Sequence, residues 1–214
     1  MRVMRALIVI IAALLCSCSS HSNRYVIEGT TAKKGGYYYL LDGYNVIDSA
    51  EVVGGRYRFE GEIDPAMPVR NIASASNTND FMNQIRFAQV ILESGTITVT
   101  EQDNSATGGL AIRGTKGNDA MYNFARKAML IQEAIADSFY PENRKKLLET
   151  YEKLLSKTLK KNLDNFAGVN LFIASKYRYS TEQCREIINR MSPQMRQTRT
   201  VQALIEELNT NNNE

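Results

Sequence analysis

The chain has 214 residues, of which 43% are hydrophobic and 23% charged, with only four prolines. That is a globular composition, long enough for one large core or two small ones, and it excludes wholesale disorder and collagen-like or mucin-like organisation. Removing Arg2 and Arg5 with an expected leader takes the 26 basic residues to 24 against 23 acidic, so the clustered basic surplus of a nucleic-acid binder is missing.

Arg2 and Arg5 precede an unbroken apolar run, Ala6 to Leu15. Ten apolar residues are too short for a membrane-spanning helix, which needs about 20, and they suit the core of an export signal. Leu15-Cys16-Ser17-Cys18 follows, and it resembles the lipobox of bacterial lipoproteins, with Cys18 at the cut. The expectation is a signal peptide over 1–17 and a lipidated Cys18 on a polar tether, 18–23. The thiol of Cys18 would carry diacylglycerol and its amine a further acyl chain, together a stable anchor. His21, the one histidine, lies in that tether. Once Cys16 is removed and Cys18 acylated, Cys184 has no partner, so neither a disulfide, a Cys-x-x-Cys dithiol nor a transition-metal site is expected. Cys184 falls in a helical pattern beside Ile187 and Ile188, as a buried inert thiol would.

From 24 to 115 the pattern is short strands broken by Gly, Asn and Asp. Strands are expected at Tyr25–Gly29, Gly36–Leu41, Val46–Val53, Arg56–Ile63, Val69–Ser74, Phe87–Glu93, Thr96–Glu101 and Leu110–Arg113. Gly54-Gly55 precedes Tyr57 and Phe59 alternating with charged residues, the mark of a two-residue hairpin with one dry face. Ser94-Gly95 reads the same way before Ile97 and Val99. Such spacing without intervening helices predicts an antiparallel β-sandwich or open barrel. The polar stretch Ser74–Asn83 reads as a loop.

The second half, 116–209, reads as a small helical bundle, making the chain α+β overall. Asn118 or Asp119 is the expected cap of a first helix carrying Met121, Phe124, Ala128, Ile131 and Ile135 on one face. Pro141 opens a second, with a leucine stripe ringed by Lys145, Lys146, Lys153, Lys157, Lys160 and Lys161. A third, more apolar helix runs from about Asn165 to Ser175. Ser180-x-x-Gln183 has capping-box spacing for a fourth. Ser192-Pro193 opens a turn, and Val201, Leu204, Ile205 and Leu208 mark the last helix. Asn209 to Glu214 should fray, with 210–214 a disordered tail.

Three stretches carry a family resemblance: Asp48-Ser49-Ala50-x-Val52-x-x-Gly55-x-Tyr57-x-Phe59-x-Gly61, Val90-Ile91-Leu92-Glu93-x-Gly95-x-Ile97-x-Val99, and Ile112-x-Gly114-Thr115-x-x-Asn118-Asp119. Together they resemble a β-rich domain of unknown function that heads many envelope lipoproteins of Bacteroides-type bacteria. In those proteins a helical linker and a thioredoxin-like thiol–disulfide oxidoreductase domain follow. Asn165-x-x-Gly168-Val169 and Met191-Ser192-Pro193-Gln194-Met195-Arg196 are similar to that linker. The resemblance implies an envelope location. The sequence ends where the oxidoreductase domain would begin and holds no Cys-x-x-Cys, so redox catalysis is not expected.

No catalytic elbow, zinc-protease motif, phosphate loop or calcium loop is present. Carboxylate pairs such as Glu60 with Glu62, or Asp119 with Glu133, read as solvated faces. Tyr37, Tyr38, Tyr39, Tyr44 and Tyr57 crowd the early strands, and alternation sends Tyr37 and Tyr39 to one face and Tyr38 to the other. They are the candidate binding face, either for stacking on a sugar or for a protein, or else they fill both sides of a sandwich. The lysines of the second helix are interleaved with Glu149 and Glu152 and read as a solvated face, the alternative being an approach to anionic headgroups near the anchor. The expected function is therefore non-enzymatic, with no cofactor: a lipid-anchored binding or adaptor protein of the envelope, on the periplasmic side of the outer membrane, with a protein partner and no nucleic acid. The alternative is a glycan- or small-ligand-binding lipoprotein.

Overall fold

The structure, a computed structural model, describes residues 23–75, 86–101 and 109–210. The predicted leader, Cys18, His21, most of the Ser74–Asn83 loop and residues 211–214 lie outside the described residues.

Eight strands come first: β1 Arg24–Thr30, β2 Tyr37–Asp42, β3 Asn45–Glu51, β4 Arg56–Glu62, β5 Val69–Ala75, β6 Arg86–Ile91, β7 Gly95–Glu101 and β8 Leu110–Arg113. They form two four-stranded sheets, the first in the order β4-β1-β7-β8 and the second β3-β2-β5-β6. Period-two alternation puts Tyr25, Ile27, Tyr57, Phe59, Ile97 and Val99 of the first sheet against Tyr38, Leu40, Ile72 and Val90 of the second, and these fill one core.

The sandwich differs from expectation in its connections. Gly54 and Gly55, both at positive φ, make the tight turn expected of them, with Val53 and Arg56 bonded across it. Yet β3 lies in the second sheet and β4 in the first, so the turn carries the chain between layers. Ser94-Gly95 likewise joins β6 to β7 across layers, and β7 runs parallel to β1. A turn fixes only its flanking residues; the ladder edges of β4 and β7 are both completed by β1, which lies much earlier in the chain.

Six helices follow: α1 Lys116–Asp137, α2 Pro141–Lys161, α3 Phe166–Ser175, α4 Thr181–Arg190, α5 Pro193–Arg196 and α6 Arg199–Thr210, with a 3₁₀ turn at Lys176–Arg178. Pro141 opens α2 at its first turn, and Ser180 and Gln183 form the full capping box of α4. Ser192-Pro193 starts a helical turn rather than a plain one, and α6 takes in Asn209 and Thr210. The cap of α1 is Thr115. Asn118 lies inside the first turn instead, where its buried amide accepts from the Ile91 N–H at 3.0 Å and donates to the Ile91 carbonyl at 2.7 Å. A side chain thus continues the edge of β6 into the helical half. Ile91 itself belongs to the second core, with Leu155, Leu159, Phe166, Phe172, Cys184, Ile188 and Leu204.

Candidate functional site

The structure divides the five predicted tyrosines. Tyr38 and Tyr57 are buried and stack across the sandwich, one from each sheet, with ring centroids 3.8 Å apart and planes 10° from parallel. They belong to the core, so the expectation of one tyrosine face over all five residues is corrected. The alternation in β2 was enough to separate Tyr38, whereas Tyr57 faces inward because Tyr57 and Phe59 form the dry face of β4.

The Tyr57 ring is also held from below. It lies over Gly29, its neighbour across the β1–β4 ladder, where a Cβ would fall 1.9 Å from Tyr57 Cζ. Tyr25 and Gly61 repeat the arrangement four residues along the same ladder, with 2.8 Å between a built Cβ and Tyr25 Oη. Each bare glycine is shielded by a cross-strand aromatic ring.

Around Tyr38 sits a polar cluster at one end of the sandwich. The Tyr38 hydroxyl donates to Glu101 Oε1 at 2.7 Å, and the Ala32 N–H donates to Oε2 at 3.0 Å. Lys33 Nζ donates to Ser74 Oγ at 3.1 Å and stands 5.8 Å from the Tyr38 ring centroid. Burial pushes the Tyr38 hydroxyl up to about 12. Burial also acts to raise Glu101, but the hydrogen bonds from Tyr38 and Ala32 outweigh it and hold the carboxyl below its usual range. Near neutral pH the cluster is therefore a fixed neutral donor on a fixed anion, and neither group is poised to exchange a proton. The Tyr57 hydroxyl, raised by burial, then by the Tyr38 and Glu101 charges, is buried with no hydrogen-bond partner among the described residues.

The other three tyrosines lie away from that core: Tyr37 and Tyr39 on the outer side of the second sheet, with Tyr39 buried, and Tyr44 in the turn at the far end of β2. Tyr37 and Tyr39 have ring centroids 6.4 Å apart, and Tyr39 covers Leu41 and Ala73 in a small cluster. Tyr44 follows Gly43, whose positive φ suits the first position of the β2–β3 turn. Tyr44 is 80% exposed and Tyr37 46%, with Val46 of the edge strand β3 also about half exposed. A β-bulge between Leu40 and Leu41 shifts the β2–β3 register and leaves Val46 and Ile47, adjacent residues of β3, both exposed. The first sheet's outer side is polar by contrast. There Arg58 pairs with Glu28 and Glu60, and a depression of about 710 Å³ at the adjoining edge of the sandwich is lined by Thr30, Thr98 and Thr100 together with Tyr57 and with Ala50 and Glu51 of β3.

Of the remaining expected features, Cys184 is buried, and burial raises its thiol. Asp119 pairs with Arg113. Among the described residues no group of three His, Cys, Asp or Glu gathers as a metal site, and no helix is long and apolar enough to cross a membrane. The sequence reading missed Lys33 and Glu101, which are distant in sequence and meet only through the fold. It also missed Phe139 and Tyr140, whose position between two helical patterns was a visible signal.

Residues 25–121 match the family model described as Domain of unknown function (DUF4369). The match spans the whole sandwich and the first turn of α1, so it includes the Asn118 link to β6. No curated protein and no solved structure matches the chain.

Proposed function

We propose that the protein is a lipid-anchored component of the cell envelope, held through Cys18, that works by presenting the aromatic outer side of its second sheet to a protein partner. The observation that carries this reading is the exposure of Tyr37 at one end of β2, and of Tyr44 and Val46 at the other, on the outer side of a sheet whose opposite side lines a filled core. Exposed rings on fixed strands bury large area at small entropic cost, which favours binding. The Tyr38–Glu101 cluster supports a role without chemistry, since both groups are locked in their resting protonation states. The family resemblance adds an oxidoreductase or envelope assembly as the class of partner, by analogy alone.

A photo-crosslinking amino acid placed at Tyr44 in intact envelopes tests the reading. One recurrent protein adduct, lost in Tyr37→Ala, is expected; adducts only to abundant porins and to the protein itself would overturn it. The half-exposed ring of Tyr37 favours a second reading, stacking on a sugar ring. Thermal-shift screening against a broad glycan panel examines that alternative, which fails if no glycan moves the transition. Cys18→Ala tests the anchor separately and should release the protein from the membrane fraction.

A further inference from the structure

Helices α1 and α2 form an antiparallel hairpin of 22 and 21 residues, so each helix is about 32 Å long. Its buried residues gather toward the sandwich: Gly117, Asn118 and Tyr122 near the start of α1, Ala128 just past its middle, and Leu155 and Leu159 in the last half of α2. At the far end Phe139 is 95% exposed and Tyr140 71% exposed. The tip is closed by backbone bonds from Ser138 N–H to the Ile135 carbonyl and from Asn143 and Arg144 N–H to the Tyr140 carbonyl. It is a built turn that holds two aromatic rings outward. One helical turn behind them Arg144, Lys145 and Lys146 are exposed, outnumbering the acidic Asp137 and Glu142 of the same tip.

The root of the hairpin and the start of the described chain share one end of the sandwich. The Gly117 N–H donates to Glu93 Oε2 at 2.8 Å, and Lys116 pairs with Asp164. Asn23, from which the tether to Cys18 leaves, lines the same depression as Glu93 and Asp164. Five residues of extended tether reach about 17 Å. An acylated Cys18 would hold the root of the hairpin within about 17 Å of the bilayer, so a hairpin lying along that surface brings its tip to the same headgroups.

We propose that the hairpin tip is a second membrane contact, in which Phe139 and Tyr140 enter the interfacial layer of an anionic phospholipid bilayer while Arg144, Lys145 and Lys146 engage its headgroups. Aromatic rings favour that layer, and cations one turn behind them match its negative surface. The inference rests on the lipid-anchored reading for proximity and not on the sheet-face partner.

The chain lacks tryptophan, so Phe139→Trp in the full chain gives a single fluorescent probe at the tip. With vesicles of phosphatidylethanolamine and phosphatidylglycerol, its emission should shift to the blue and be quenched by brominated acyl chains. Quenching should be lost in Lys145→Glu/Lys146→Glu and in vesicles of phosphatidylcholine alone, while a probe at the exposed Tyr177 should stay unquenched throughout. Flotation with vesicles of phosphatidylcholine alone, which do not engage the tip, reports the anchor independently. Protein that floats there but keeps an unquenched tip in anionic vesicles overturns the contact and leaves the anchor standing. Protein that does not float there but is quenched in anionic vesicles loses the anchor and keeps the contact. A blue shift without vesicles that grows with protein concentration would assign the tip to a second copy of the chain and overturn the proposal.

Discussion

Tyr38 and Tyr57 are stacked neighbours with opposite accounts. The Tyr38 hydroxyl has a carboxylate acceptor, whereas the Tyr57 hydroxyl is buried without one among the described residues. Tyr38→Phe should cost about 1 kcal/mol, and Tyr57→Phe should be neutral or stabilise by about 1 kcal/mol, both read from urea unfolding midpoints. The pair also sets a pH dependence. A tyrosine raised from 10.0 to about 12 by burial stabilises the fold below its unfolded value, and that contribution is lost as pH rises through the folded one. Glu101, held low, acts at the other end: its contribution is present above the unfolded carboxyl value and lost as pH falls through the folded value. Tyr38→Phe should flatten both limbs of a stability–pH curve. At Gly29 even one methyl meets the Tyr57 ring, so Gly29→Ala should destabilise by about 2–3 kcal/mol, with partial rescue by Tyr57→Leu.

Among the elements, those whose identity depends on local chemistry were legible in advance. Strand alternation, Pro141 at a helix start and the Ser180–Gln183 box each act over a few residues, and each is where its pattern placed it. Ser180→Ala should cost about 1 kcal/mol for loss of the cap. What was not legible is what distance decides. Nothing near Ser94-Gly95 says that β7 will lie beside β1, because the closing contact is with residues some seventy positions earlier. Asn118 looked like a cap because asparagine before an apolar stripe usually is one; its use as a strand extension depends on Ile91 being across from it. The tyrosine face was half legible for the same reason: period two separates Tyr37 from Tyr38 and puts Tyr57 on the dry face of β4, but that Tyr38 and Tyr57 stack on each other is decided by the meeting of the two sheets. The α1–α2 hairpin has an uneven grip on the rest, since its buried residues cluster at the root. Amide exchange should therefore be slow around Asn118 to Tyr122 and Leu155 to Leu159 and rise steadily toward Phe139.

For the whole molecule, two cores meet at Ile91, which is in β6 and in the helical core together. The Asn118 amide is the polar half of that junction, and Asn118→Ala would strand the buried Ile91 N–H and carbonyl at a cost of about 1–3 kcal/mol each. The wild-type protein should unfold in one calorimetric transition and Asn118→Ala in two, as the sandwich loses its hold on the helices. The parallel pairing of β1 with β7 has a consequence for the order of assembly. A chain is synthesised N-terminus first, so β1 is available before the other strands and can pair with β4 once residue 62 has followed. Its other edge has no strand to receive until residues 95–100 follow. Through that interval β1 presents an open ladder on one side, a template for the wrong neighbour. The first sheet thus stays incomplete, and dependent on being shielded, until about half of the chain has emerged.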